Sequence, residues 1–418
     1  MYQRVSINLQ NLILSMSDAL DLASPALSQH QLRTAFIAWE MSKAVGLPPG
    51  ETGNLFIASL LHDIGALSLE EKIGVHDGSY QDVVVHPKLG ALVLRRMPFF
   101  ESAADVISMH HADWETVRER SAESAVRLSQ ILHLADLAER LIDRSKYILF
   151  QNQDILGRIQ ARSGTEIDPA QIDVFRSISD REDFWLDLVS PRLYSLLLHD
   201  GPIHGIEIDL KNLKPISEMF RNVIDFRSRF TATHSTGVAT AASELSKCYG
   251  LTEMEVGLME VAGNFHDVGK MVIPNAILDK PDRLIPSEVA VMRQHTYFTY
   301  MVMNTIGGIL QIAEWAAFHH ERLDGTGYPF HLDGENLNIG SRIMAVADIF
   351  TALTEDRPYR KGLSQTEVLA ILRDWSAKNY IDSGVLNTLQ ANFEQVSSVT
   401  QKRQAEIKEF YEQDFLLR

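Results

Sequence analysis

The chain has 418 residues, room for two or three domains, with 45% hydrophobic and 22% charged residues, ordinary proportions for a folded protein. Its net charge of −16 excludes the extended basic surface that a sequence-independent hold on DNA or RNA needs, but not a site for a small anion made locally positive by bound cations. The single cysteine, Cys248, excludes an intrachain disulfide and points to a reducing cytoplasm, and no apolar run is long enough to span a bilayer.

In chain order, the amphipathic stretch Val5, Ile7, Leu9, Leu12, Ile13, Leu14 and Met16 predicts a first core helix and lacks the basic region of a signal peptide. Phe184 to His199 reads as a connecting apolar helix. Gly201 to Pro215, with its Gly and Pro, reads as a linker with a short extended piece at Ile206, Ile208 and Leu210. Thr231 to Leu245 puts His234, Val238, Ala241 and Leu245 on one helical face. Ile306 to His320 predicts an apolar helix with a His pair at its end, and Ile343, Val346, Phe350 and Leu353 predict a helix around Asp348. No alternating strand pattern of useful length occurs, so the expected class is all-α.

Seven residues of metal-ligand type occur twice in one order. The first set is His30, His62, Asp63, His86, His110, His111 and Asp136; the second is His234, His266, Asp267, His295, His319, His320 and Asp348. From the first His to the His-Asp pair is 32 residues in both sets, and from the third His to the His-His pair is 24 in both. The offset drifts from 204 to 214 along the chain, a few small insertions of the kind loops tolerate. An internal repeat of this kind indicates two copies of one structural unit. The expected organisation is a degenerate helical domain at 1–180, a helical and extended connector at 181–217 and a catalytic domain at 218–418.

A His-Asp pair places an imidazole beside a carboxylate that can bridge two cations. Imidazole and carboxylate without Cys suit Fe, Mn, Co, Ni or Zn in a catalytic site better than a closed structural zinc site. Two such ions about 3.5–4 Å apart can clamp the oxygens of a phosphoryl group. A lone buried His is more often a satisfied core residue; five His and two Asp repeated in order are not read that way.

Asn264-Phe265-His266-Asp267-Val268-Gly269-Lys270 resembles the HDxGK motif of the HD-GYP phosphodiesterases. His319-His320-Glu321-Arg322-Leu323-Asp324-Gly325-Thr326-Gly327-Tyr328-Pro329 resembles their HHERxDGxGYP motif, and Asp348 with Arg357-Pro358-Tyr359-Arg360 resembles their last block. The resemblance covers about Ile224 to Phe393. It implies a catalytic two-metal site in a cytoplasmic signalling enzyme that cleaves a cyclic dinucleotide to a linear 5′-phosphorylated product. It implies that His234, His266, Asp267 and Asp348 surround one divalent ion. Asp267 bridges to a second ion on His295, His319 and His320. Lys270, Arg357 and Arg360 contact the scissile phosphate. Iron or manganese is favoured over nickel, cobalt or zinc. The glycines of the DGxGYP loop are read as permitting positive φ, and the loop as positioning its neighbours.

Two departures from the family pattern favour two ions over three. Phe230 stands where some members carry a Glu, and Thr351 stands where Asp is frequent. The first copy departs further: Ala66 replaces the Lys, and neither a DGxGYP run nor an RPYR run follows its His pair and Asp136. A regulatory or structural role is expected for it. The tandem is similar to the Vibrio phosphodiesterases acting on 3′3′-cyclic GMP-AMP, which sets that substrate ahead of cyclic di-GMP. A silent signalling scaffold and a general HD phosphohydrolase stay open as alternatives, and so does a homodimer. No nucleic-acid polymer or membrane partner is expected.

Overall fold

The structure is a computed structural model that describes residues 6–22, 24, 27–77, 85–228, 232–356 and 361–415. Helices account for nearly all of the regular structure. Among the described residues the named strands are Ile7–Asn8 and Glu207–Ile208, which pair with each other. They meet where the chain enters and leaves the first of two compact units. That unit is Asn8–Glu207; the second joins the segment up to Ile7 to Ile208–Arg418. The all-α expectation holds, and among the described residues no helix is long and apolar enough to cross a membrane.

Each unit is built round the helix that opens on its first ligand-type His. In the first unit, His30–Val45 packs against Pro49–Leu61 and Ser124–Arg140. In the second, His234–Tyr249 packs against Glu253–Phe265 and Ile339–Thr354. Leu32, Ala35, Leu55, Leu60, Ile131 and Leu134 fill the first core; Val238, Ala242, Val261, Phe265, Ile343 and Val346 fill the second. Burying side chains of this size contributes roughly 1.5–3 kcal/mol each, so apolar packing holds the scaffold on which the polar cluster sits.

Three expectations about element boundaries change. The segment read as a connector is divided. Glu182–Leu188 and Leu193–Asp200 are separate helices of the first unit, where Phe184 and Trp185 are fully buried. Phe184 stacks on Phe36 with ring centroids 5.8 Å apart, and the Trp185 indole donates to the Ser179 carbonyl at 2.8 Å. Two aromatics of that size are worth more buried than spanning solvent. The linker beyond is brief. Its extended piece is the strand Glu207–Ile208, and a helix starts at Leu210, capped by the Asp209 carboxylate, with Pro215 inside it. Lastly, the helix expected over Ile306 to His320 is broken. Pro286–Ile306 stops at Gly307 and Gly308, both at positive φ, and Leu310–Ala317 begins anew. Such backbone suits Gly alone at low cost, and it turns the chain so that the His pair faces the centre.

A second repeat emerges in the structure. The helices Leu9–Asp21 and Leu210–Asp225 each end on a buried Asp. Asp21 accepts the Gln31 backbone N–H at 2.9 Å. Asp225 accepts the Ser235 N–H at 3.1 Å and the Ser235 hydroxyl at 2.5 Å. Each therefore satisfies an orphan amide in the first turn of the helix that opens with the first His. Burial pushes the Asp225 carboxyl up to about 6, against the pull of Ser235 and His234. Asp225→Ala should lower the stability of the second unit by about 1–3 kcal/mol, the usual cost of an unmade buried hydrogen bond. Urea unfolding and amide exchange at Ser235 measure it; an unchanged midpoint with unchanged exchange would contradict the role.

Candidate metal centre

Five helices and their ends bring the second set together. His234 opens its helix, His266 caps the C-terminal end of Glu253–Phe265, and His295 lies inside Pro286–Ile306. His319 and His320 follow Leu310–Ala317, and Asp348 projects from Ile339–Thr354. All are buried except His320, which is half-buried. Gly269 permits the close approach of the His-Asp turn to the neighbouring helix, because a Cβ there would collide with the His295 carbonyl and the Thr299 amide. Gly65 stands in the same relation to His86 and Gly90 in the first unit.

The imidazoles are held by one nitrogen each. His266 Nδ1 contacts the Gly263 carbonyl at 2.8 Å, His295 Nδ1 that of Met292 at 2.7 Å, and His319 Nδ1 that of Ala316 at 2.6 Å. With Nδ1–H donating to a carbonyl, Nε2 is left as a bare acceptor, the form a metal needs. These bare atoms converge. His295 Nε2 lies 3.4 Å from His319 Nε2 and 3.5 Å from Asp267 Oδ1. His266 Nε2, buried with no hydrogen-bond partner, lies 3.1 Å from Asp267 Oδ2, and His234 Nε2 lies 3.2 Å from Asp348 Oδ1. His295, His319 and His320 make one group able to hold an ion; His234, His266 and Asp348 make another. Asp267 turns one oxygen to each.

The electrostatics divide the site: His234 is raised to about 10, because Asp348 and Glu355 outweigh its burial, whereas the rings at the other end of the cluster are lowered. Burial, reinforced by neighbouring His320, lowers His319 well below its ordinary range; burial lowers His295 to about 3 against the opposing pull of Asp267. These rings are neutral near pH 7. Asp267 and Asp348 are ionised: burial opposes their charge, and His266 and Lys270 around Asp267 and His234 and His320 around Asp348 outweigh it. Lys270 lies in the centre, its Nζ 2.5 Å from Asp267 Oδ2. Burial opposes its charge as well, but Asp267 raises its pKa. Arg357, Arg360 and Phe230 lie outside the described residues.

Two supports were not singled out from the sequence. Glu355, buried at the end of the Asp348 helix, places Oε2 3.3 Å from His234 Nδ1, and accepts from the Thr233 hydroxyl at 2.5 Å through Oε1. It turns the Nε2 of His234 toward Asp348. Glu321, next to the His pair, accepts the Phe330 and Leu332 amides at 2.7 and 3.1 Å. That anchors the loop whose Tyr328 ring packs on His320, centroids 4.9 Å apart, as expected of a positioning element. Of the loop's two glycines, only Gly325 is at positive φ. Gly327 is required for space, since a Cβ would strike the Glu321 backbone. Thr351 donates to the Ala347 carbonyl of its own helix at 2.8 Å and offers nothing to the centre.

Glu355→Ala should weaken metal retention by the second unit by about 10–100-fold, the usual effect of removing a carboxylate behind a ligating His. Glu355→Gln, which can still accept the Nδ1 proton, should retain more. Titration against a chelator reads both. Equal retention by wild type and the Ala variant would remove Glu355 from the site.

Comparisons with known proteins agree with this architecture. An HD domain model matches residues 218–385, and another matches residues 27–141. The chain is 29% identical over 402 residues to 3′3′-cGAMP-specific phosphodiesterase 1 of Vibrio cholerae, covering 93% of both chains. It is 34% identical over 168 residues to the cyclic di-GMP phosphodiesterase response regulator RpfG of Xanthomonas campestris, covering 40% of this chain and 44% of that one. The solved structure of a V. cholerae cyclic GMP-AMP-specific phosphodiesterase, V-cGAP3, superposes with a TM-score of 0.65 at 24% identity, covering 93% of this chain and 98% of that one, a likeness of fold. Each compact unit therefore contains an HD domain.

Proposed function

We propose that the second unit is a phosphodiesterase that hydrolyses a cyclic dinucleotide, 3′3′-cyclic GMP-AMP ahead of cyclic di-GMP, to a linear 5′-phosphorylated dinucleotide. One observation carries the reading: Asp267 turns one oxygen to each of two groups of converging imidazole nitrogens. His234, His266, Asp267 and Asp348 would hold one divalent ion, and Asp267, His295, His319 and His320 would hold the other. Iron or manganese is preferred to nickel, cobalt or zinc for this ligand set. Thr351, spent on its own helix, supports two ions and not a third. Bound there, the pair supplies Lewis acidity and a water acidic enough to attack near neutral pH.

The chain's own groups supply the rest. The Nδ1 contacts fix each ring before substrate arrives. Lys270, charged and directed at the centre, shifts from Asp267 to an equatorial phosphate oxygen as negative charge builds there. Arg357 and Arg360 are assigned to the same phosphate, a role suited to the bidentate guanidinium. Attack at phosphorus breaks the bond to the 3′ oxygen, which leaves with a proton, and the new phosphate stays on the 5′ side. The preference for the mixed dinucleotide rests on the full-length likeness to the Vibrio enzyme. The braced Tyr328 loop sets this site apart from that of a general HD phosphohydrolase. The lone cysteine and net charge of −16 suit a cytoplasmic enzyme without a nucleic-acid polymer as partner; a homodimer is compatible with this reading.

Product analysis with a panel of cyclic di-GMP, cyclic di-AMP and 3′3′-cyclic GMP-AMP tests the activity. In H₂¹⁸O the label should enter the new 5′ phosphate. No turnover of any of the three by metal-loaded protein would leave the scaffold reading. Asp267→Asn should abolish turnover, because a neutral amide bridges two cations poorly, whereas Lys270→Ala should cost on the order of 10²–10³ in rate. Steady-state rates at matched metal loading distinguish them. Near-normal activity of Asp267→Asn would refute the shared-carboxylate mechanism.

A further inference from the structure

Arg227 lies two residues past the helix Leu210–Asp225, half-buried, and its guanidinium is directed at one turn of the chain. Nη1 donates to the backbone carbonyl of Lys270 at 2.8 Å. Nη2 donates to the Ile273 carbonyl at 3.1 Å and to Asn275 Oδ1 at 2.8 Å. The Asn275 side-chain amide returns a bond to the Arg227 carbonyl at 3.0 Å. Beside it, the Ser228 hydroxyl donates to Asp279 Oδ1 at 2.5 Å. Two adjacent residues therefore hold both ends of the stretch 270–279. A guanidinium presents its donors in a fixed fork, so these bonds specify where the Lys270 backbone lies as well as retaining it. That backbone carries the amine whose Nζ is 2.5 Å from Asp267 Oδ2. A misplacement of about 1 Å, even from a change remote from the chemistry, can cost 10²-fold in rate.

The ordinary alternative is a staple that the fold alone requires. The first unit argues against it, because it closes the same turn without one. The Ala66 amide donates to the Asp63 carbonyl at 2.9 Å, as the Lys270 amide does to the Asp267 carbonyl at 2.8 Å. The next amide, that of Leu67, is held by the Glu71 carboxylate at 3.1 Å, from within the same stretch of chain. Features that both units need keep an offset of 204 residues: Asp21 and Asp225, and Gly65 and Gly269. At that offset Lys270 corresponds to Ala66, and Arg227 to Ala23, a residue without a side-chain donor. The two cations thus occur together in one unit and are absent together from the other. A clamp that served only the fold would have no reason to follow the Lys.

We infer that Arg227 is a positioning residue for Lys270, fixing its backbone so that the ammonium beside Asp267 meets the scissile phosphate. The catalytic consequence rests on the phosphodiesterase reading above; the hold on the backbone does not. The test uses the full chain loaded with Mn²⁺ and the cyclic dinucleotide that wild type hydrolyses. Arg227→Gln should lower kcat by about 10–100-fold, with the Mn²⁺ content by elemental analysis as in wild type. In a Lys270→Ala background the same substitution should cost less than about 2-fold, because the group it positions is gone. Arg227→Lys, able to keep one of the bonds, should fall between wild type and Arg227→Gln. Losses that multiply in the double variant, or loss of Mn²⁺ from Arg227→Gln, would overturn the inference, since a purely structural role acts through the fold or the ions. A second measurement needs no turnover. Amide exchange over residues 268–275 should quicken in Arg227→Gln, while the Ser235 amide, held by Asp225, keeps its protection. If metal-loaded wild type hydrolysed no cyclic dinucleotide, the phosphodiesterase reading would fall and exchange would decide the hold by itself. Unchanged exchange over 268–275 would overturn it.

Discussion

The crowding of imidazoles and carboxylates in one buried cluster organises both units. Imidazoles whose Nδ1–H donates to a backbone carbonyl turn Nε2 into a buried cluster of other rings and carboxylate oxygens. That arrangement is costly in a low-dielectric interior unless positive charge enters. In the second unit Lys270 already supplies part of it, lying on Asp267. In the first, Ala66 leaves that position without a charge, and Arg140 approaches Asp136 from behind. The two units thus answer one electrostatic problem in different ways: the second keeps a mobile cation inside the cleft, the first places its cation outside the ligand shell.

Apolar packing makes so strained a cluster affordable. The clustered His and Asp stand on helix ends or on helix faces whose other sides are filled by Val, Ile, Leu and Phe. The glycines after each His-Asp pair let two backbones touch, which no other residue permits. Asp21 and Asp225 tie down the first turn of the helix carrying the first ligand. Backbone carbonyls do most of the orienting, so ring geometry is set by helical structure and not by long flexible side chains.

The clustering of the His and Asp residues was legible because each is a rare residue type in a spacing that occurs twice. The helices singled out were legible from apolar periodicity, apart from the break at Gly307 and Gly308, the docking of Phe184 and Trp185, and the start at Leu210 inside the stretch read as a linker. At the first two the local pattern reads as one apolar run, and only tertiary packing divides it. The carboxylates behind the histidines were hidden for another reason. Glu139 lies three residues after its Asp and Glu355 seven after its own, so the repeat does not align them. The same contact is reached from successive turns of one helix, since residues three, four and seven apart share a face. Asp21 and Asp225 keep the 204-residue offset of the first ligands but belong to no motif, and only the hydrogen bonds across the helix junction reveal them.

Glu321 is bonded in sequence to His320 and holds the amides of Phe330 and Leu332, while Tyr328 rests on the His320 ring. The loop and the ligand are therefore one mechanical body. Any displacement of the loop moves an imidazole, and any ion that fixes the imidazole orders the loop. Linkage makes this symmetrical: whatever free energy the ion contributes to loop order, a ligand that orders the loop returns as tighter hold on the ion. The entrance to the cleft and its innermost charge are in this sense a single thermodynamic variable, read from either end.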